Sequence, residues 1–235
     1  MTTPLYDFAI VGGGMAGASV AYRLAPSASV VLLERESQPG YHTTGRSAAM
    51  FMESYGPPGV RALTRASRQF YTAPPPQFSA HSLLSPRGAL YVAQQDQAEA
   101  LRHVAEELGQ SIPNLAHLSA QQTLALAPCL KPDQLLGALW DPDSQDIDVN
   151  ALLQGFLKGF QKEGGHLQCN AEMVEAKFVQ DHWCLRLQNG AEVRAKCVVN
   201  ASGAWGDAVA SIVGAKPIGL VPRRRSAFTF KEIGR

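Results

Sequence analysis

Apolar residues along this chain recur with two different periods, and the first 35 positions contain both. Phe8-Ala9-Ile10-Val11 is a short unbroken apolar run, the pattern of a strand buried on both faces. Gly12-Gly13-Gly14 interrupts it. From Met15 to Leu24 the spacing becomes helical, with Ala16, Gly17, Ala18 and Ala21 giving a face small enough to lie close to a sheet. Ser29-Val30-Val31-Leu32-Leu33 is a second buried strand, ending at Glu34. Strand, tight turn, helix and strand within some 30 residues predict a βαβ unit.

Beyond it the pattern is more broken. Residues 35–60 are rich in Gly, Ser, Thr and Pro and predict a loop, with a short helix near 46–50. A helix over 60–71 ends before Pro74-Pro75-Pro76. Residues 90–93 read as a strand and 97–108 as an amphipathic helix. Ser119 with Gln122 has the spacing of a capping box and opens a helix that stops at Pro128. A strand is expected over 138–140. The loop 141–148 carries Asp141, Asp143, Asp146 and Asp148 but lacks the Gly and closing Glu of a calcium loop, so it reads as a solvated turn capping the next helix. That helix, 149–163, ends at Gly164-Gly165. Strand-like segments follow over 172–179, 182–188 and 192–195, with Asn189-Gly190 as a hairpin turn. A short buried strand over 197–200, a turn and helix over 201–213, and alternation over 225–230 complete the pattern. The fold class predicted is α/β at both ends, with an inserted section between them.

Gly12, Gly14 and Gly17 form G-x-G-x-x-G directly after a strand and at the start of a helix. The first glycine permits the tight turn. The second lets a pyrophosphate approach the backbone, and the third lets helix and strand pack closely. The diphosphate then sits on free N–H groups at the positive end of the helix, around Met15 and Ala16. Glu34, 17 positions after Gly17, is placed to accept both ribose hydroxyls and to repel a 2′-phosphate. Two further features favour FAD over NAD. Gly45-Arg46-Ser47-Ala48-Ala49 predicts a second turn and helix start for the far end of a longer cofactor. Val198-Val199-Asn200-Ala201-Ser202-Gly203-Ala204-Trp205 repeats the strand-then-glycine logic near the end of the chain.

Composition excludes other classes. Of the 235 residues, 46% are hydrophobic and 17% charged, which suits a globular protein of one or two domains. The net charge of +1 gives no global attraction to nucleic acid or to an anionic membrane surface. Cys129, Cys169, Cys184 and Cys197 form no CxxC pair, and the histidines make no i, i+4 pair, so neither zinc nor a disulfide framework is suggested. No apolar run approaches the roughly 18 residues of a membrane span, and no secretory signal precedes the first strand. Cytoplasmic residence is the expectation.

Taken together, several segments resemble the glycine oxidase and D-amino-acid oxidase/dehydrogenase family of FAD enzymes, and within it the bacterial D-arginine dehydrogenase group. They include Asp7 to Gly17, Leu33-Glu34-Arg35-Glu36, Gln38-Pro39-Gly40-Tyr41-His42, Thr44 to Ala49, Val60-Arg61-Ala62-Leu63-Thr64, Leu83 to Arg87, Asp146-Ile147-Asp148, Asn200 to Trp205 and Arg224 to Phe228. The resemblance implies an FAD-binding domain from residues 1–50 and 150–215 and a substrate domain from 51–149 and 216–235. It implies cofactor contacts from Arg35, from the backbone of Val174 and from the helix start at Ser47 to Ala49. It assigns Tyr55 to the pocket entrance and Arg224 to the substrate carboxylate. Where the D-arginine enzymes carry a histidine, a threonine and a side-chain-binding glutamate, this chain has Met50, Met52 and Ala89. A guanidinium would then be buried without its carboxylate, so the pocket reads as more apolar. Family members are about half as long again, so the chain reads as an N-terminal fragment that binds FAD weakly alone.

The chemistry implied is oxidation of an α-amine to an imine, the hydride passing to the flavin and the imine hydrolysing to a 2-oxo acid. The partners are a small amino acid or amine and an electron acceptor that is either oxygen or a quinone or carrier. Alternatives are an FAD-dependent 2-hydroxy-acid dehydrogenase of the same fold, a truncated product without activity, and an NAD-only dehydrogenase.

Overall fold

The computed structural model describes residues 4–226 and residue 228. The chain divides into two compact units, Met1–Thr44 with Phe156–Arg235, and Gly45–Gly155. The strand expected over 225–230 falls mostly outside the described residues; Arg225 and Ser226 have no regular structure.

The first unit opens with β1 (Leu5–Val11), α1 (Met15–Leu24) and β2 (Val30–Leu33). The two strands are parallel, with Phe8 opposite Val30 and Val11 opposite Leu33. Ile10, Val31 and Leu32 are fully buried, as their apolar runs require. Gly17, Ala18 and Ala21 are the buried positions of α1, and their small side chains allow its close approach.

The second unit comprises β3 (Met50–Phe51), α2 (Pro58–Thr72), β4 (Leu84–Pro86), β5 (Ala89–Gln94), α3 (Ala98–Gly109), β6 (Ala116–Ser119), α4 (Ala120–Leu126), β7 (Leu135–Asp141) and β8 (Gln145–Ile147). These strands form two antiparallel sheets of order β3-β8-β4 and β5-β7-β6. The capping box is present at α4. The Gln122 N–H donates to Ser119 Oγ at 3.3 Å, and the Ser119 N–H donates to Gln122 Oε1 at 2.9 Å. Helix α5 (Val149–Lys162) leads the chain out of this unit; the Ala151 N–H donates to Asp148 Oδ1 at its start.

The chain returns through β9 (His166–Gln168), β10 (Met173–Val179), β11 (His182–Leu187), β12 (Glu192–Asn200) and α6 (Gly206–Ile212). The first unit's sheet has the order β10-β11-β12-β1-β2-β9. The strands β12, β1, β2 and β9 run parallel, and β10 and β11 are an antiparallel extension. One core joins Ala9, Val11, Val31 and Leu33 to Leu185, Leu187, Val193, Ala195 and Val209.

Three expectations are corrected. The helix near 46–50 is absent. A single 3-10 turn spans Thr44–Arg46, Ser47 to Ala49 have no regular structure, and Met50 and Phe51 pair with β8. The Ala49 carbonyl accepts the Ile147 N–H at 3.0 Å, so pairing with a distant strand overrides local propensity. The acidic loop is not simply solvated. Asp141 ends β7 almost fully buried, accepting hydrogen bonds from the Ser54 hydroxyl at 2.5 Å and the Ser144 hydroxyl at 2.8 Å. Residues 192–195 and 197–200, expected as separate strands, are one strand, β12.

Candidate dinucleotide site

The site lies at the carboxyl ends of β12, β1 and β2, where open parallel sheets hold their ligands. The turn after β1 is shaped by its glycines. Gly12 has φ +109°, and a Cβ there would stand 2.5 Å from the Ala201 carbonyl oxygen. A Cβ on Gly17 would stand 1.9 Å from the Gly12 carbonyl oxygen, so the helix sits on the turn itself. The middle glycine differs. The nearest atom to a Cβ on Gly14 is Thr44 Oγ1 at 3.3 Å, which leaves the backbone approachable. Gly14 is the N-cap of α1 and offers no side chain to its amides. The Met15 N–H donates instead to Thr44 Oγ1 at 3.1 Å, an oxygen acceptor of the kind a phosphate supplies.

Glu34 is fixed at the end of β2 and is only 7% exposed. Its Oε2 accepts the Gly13 N–H at 2.8 Å and its Oε1 the Glu36 N–H at 2.9 Å. Its main chain is pinned as well. The Glu34 N–H donates to the Gln168 carbonyl at 2.8 Å, and the Ala171 N–H donates to the Glu34 carbonyl at 2.9 Å. The carboxylate is thus anchored by an amide donor on each oxygen. Each of its oxygens retains capacity for a further hydrogen.

Around this turn runs a cavity of about 240 Å³. Of the residues expected from the sequence, Gly12, Gly14, Met15, Ala16, Glu34, Arg35, Ala201, Gly203 and Trp205 all line it. Gly17 lies beneath the turn. Val174 does not line the cavity; Ala171, Glu172 and Met173, just before it, do. Val174 is the position where β10 slips register against β11, and it is exposed. Arg46, Ser47, Ala48 and Ala49 belong to the second unit, and with the expected helix absent no helix N-terminus stands there.

Sequence reasoning missed several lining residues. The loop 40–44 contributes Tyr41, His42 and Thr44. Glu36 accepts from Arg35 Nε at 3.0 Å and lies 2.8 Å from His42 Nε2, and these bonds hold its carboxyl below the usual range, His42 having the larger effect. The Arg35 guanidinium lies 4.1 Å from the centroid of the Trp205 ring. The signal available was a His and a Tyr in a Gly/Pro-rich loop directly after the acidic strand end. Nearby, burial followed by the charge of Glu34 raises the pKa of the Cys169 thiol.

The backbone cradle, the helix N-terminus and the buried carboxylate fit the adenosine diphosphate half of FAD. Among the described residues no group of three or more His, Cys, Asp or Glu side chains is placed to hold a metal ion, and no helix is long and apolar enough to cross a membrane.

The second unit has its own cavity of about 300 Å³. Met50, Met52 and Tyr55 line it with Phe51, Val60, Leu63 and Ile147, and every lining residue is uncharged. Burial raises the pKa of Tyr71 in its wall. Tyr55 is 63% exposed. Arg224 belongs to the first unit, exposed in an irregular segment.

The chain is similar to known proteins in sequence and in fold. L-2-hydroxyglutarate dehydrogenase of Escherichia coli K12 is 26% identical over 224 residues, covering 91% of this chain and 51% of that protein. Mitochondrial dimethylglycine dehydrogenase of Rattus norvegicus is 25% identical over 214 residues, covering 87% of this chain and 24% of that protein. In fold, the chain is similar to glycine oxidase from Geobacillus kaustophilus, with a TM-score of 0.79 and 24% identity over 91% of this chain and 59% of that one. It is likewise similar to FAD-bound L-α-glycerophosphate oxidase from Mycoplasma pneumoniae, with a TM-score of 0.77 and 19% identity over 91% of this chain and 58% of that one. The chain spans about half the length of the L-2-hydroxyglutarate dehydrogenases it matches. The family model described as DAO, FAD dependent oxidoreductase, matches residues 7–235, and the chain belongs to that family of FAD-dependent oxidoreductases.

Proposed function

We propose that this chain supplies the adenosine diphosphate half of the cofactor site in an enzyme that oxidises a small 2-amino acid with an uncharged, largely apolar side chain. The observation that carries the cofactor part is Glu34, buried and pinned beside an approachable glycine turn. The N–H groups of Gly14 to Ala16 hold the diphosphate, and Glu34 accepts from the ribose hydroxyls. FAD held there would supply the hydride acceptor for oxidation at the carbon bearing the amine. The uncharged cavity around Met50, Met52 and Tyr55 takes the substrate side chain.

A second reading is oxidation of a 2-hydroxy acid. The L-2-hydroxyglutarate dehydrogenases among the curated relatives favour it. The neutral cavity argues against 2-hydroxyglutarate itself, because its distal carboxylate would be buried without a cation, as would the guanidinium of D-arginine.

The test is anaerobic flavin bleaching by the purified protein. D-Leucine, D-methionine and D-valine are compared with D-arginine, L-2-hydroxyglutarate and 2-hydroxyisocaproate. The proposal expects bleaching by the neutral amino acids. Bleaching by 2-hydroxyisocaproate alone selects the second reading. Preference for D-arginine or L-2-hydroxyglutarate overturns the assignment of the cavity.

A further inference from the structure

We propose that Arg35, Glu36, His42 and Trp205 form a clasp over the glycine turn that retains the adenosine diphosphate part of the cofactor and sets its residence time. The inference rests on the dinucleotide reading of the cavity and adds a role for residues on its rim.

The topology places the clasp. Strand β1 lies between β12 and β2, and all three are parallel. The segments leaving β2 at Glu34 and β12 at Asn200 therefore start at the same end of the sheet, on either side of the turn after β1. They meet through side chains. The Arg35 guanidinium lies over the Trp205 ring at 4.1 Å. The His42 ring lies 4.7 Å from the Trp205 ring, tilted by 51°. Glu36 closes the circuit, accepting from Arg35 Nε at 3.0 Å and lying 2.8 Å from His42 Nε2. Arg35, His42 and Trp205 all line the cavity.

This arrangement has the strength of a clasp and not of a core. A cation over an aromatic ring at a partly exposed site is a modest interaction, and so is an exposed ion pair. Losing either leaves the sheet and its apolar core untouched. Arg35, His42 and Trp205 line the cavity that holds the turn, so parting the clasp is one barrier crossed on entry and on exit. Its loss therefore speeds association and release together.

The experiment measures release of ADP and FAD from the 235-residue chain by stopped-flow displacement, with FMN as a control lacking adenosine. Trp205→Leu is expected to speed release of both ADP and FAD by about tenfold, with association faster to a similar degree. Trp205→Phe keeps a ring under Arg35 and is expected to restore most of the residence time. Glu36→Gln, a milder surface change, is expected to speed release by about threefold with an unchanged melting temperature. If the wild-type chain binds neither ADP nor FAD, the dinucleotide reading fails and the clasp with it. If it binds both and neither Trp205→Leu nor Glu36→Gln speeds release, the clasp alone is overturned. Slow release restored by Trp205→Phe separates a ring-stacking role from a merely structural one.

Discussion

Replacing Glu34 by glutamine separates what this side chain does for the fold from what it does for the ligand. The carboxylate accepts one amide on each oxygen, Gly13 N–H at 2.8 Å and Glu36 N–H at 2.9 Å. A carboxamide of the same shape has one oxygen. Whichever way it turns, its NH₂ faces one of those two N–H donors in a site only 7% exposed. A buried donor left without an acceptor costs about 1–3 kcal/mol, which is the expected loss of stability in Glu34→Gln. The ligand loses separately. Two ribose hydroxyls donating to a charged carboxylate make charge-assisted bonds, and exchanging that acceptor for a neutral amide removes about 1.5–3 kcal/mol of binding, some tenfold to a hundredfold in Kd. Denaturant unfolding reads the first effect, and calorimetric titration with ADP at a temperature where the variant is fully folded reads the second. A variant that is destabilised yet binds ADP as tightly as wild type refutes the reasoning. It would mean that the carboxylate only organises the Gly13 and Glu36 amides and never meets the ribose.

Further outcomes follow from the same geometry. Gly17→Ala sets a Cβ 1.9 Å from the Gly12 carbonyl oxygen, a backbone atom that cannot swing aside; overpacking of this kind outweighs the gain in helix propensity, and a net loss of about 1–3 kcal/mol with loss of ADP binding is expected in paired melting and titration experiments. Gly88→Ala combines φ +80° with a Cβ 1.8 Å from the Trp140 ring and is expected to lower the melting temperature while leaving ADP affinity unchanged, since Gly88 belongs to the other unit. Asp7 accepts from Lys196 Nζ at 2.8 Å and from the Ser29 hydroxyl at 2.7 Å, and these bonds, that from Lys196 foremost, hold its folded pKa well below the usual range. A depressed folded pKa gives stability that is complete above the unfolded value of about 4 and is lost as pH falls toward the folded one. Acid unfolding curves for Asp7→Asn should therefore lie beneath wild type at neutral pH and converge with it only as the pH falls well below about 3.

The βαβ unit was legible because three signals coincide in one place: a doubly buried apolar run, glycines at fixed offsets and an acid at the next strand end. The structure brings Val11 at the end of that run, Gly12 and Gly14 of the turn, and Glu34 to one cavity. The capping box at Ser119 and Gln122 was legible for a similar reason, since both partners lie within four residues. Features set by distant neighbours were not legible. Strand β12 reads as two pieces because its neighbours change along its length. Glu192 to Ala195 pair antiparallel with β11, and Arg194 to Asn200 pair parallel with β1. The polarity pattern follows each neighbour in turn and breaks at Lys196. Strands β6, β8 and β9 span only three or four residues each, too few for a period to register. The residues 47–49 look helical by composition, but their flanking backbone is claimed by β8. Within the site, Glu34 announces itself by position, whereas the meeting of Arg35, His42 and Trp205 depends on two loops converging from strands more than 160 residues apart in sequence.

The most direct measurement is a crystal structure of the chain grown with ADP. The account predicts diphosphate oxygens within about 3 Å of amides at Gly14 to Ala16 and both ribose hydroxyls on the Glu34 carboxylate. ADP bound elsewhere, or bound there with its ribose turned away from Glu34, would contradict it.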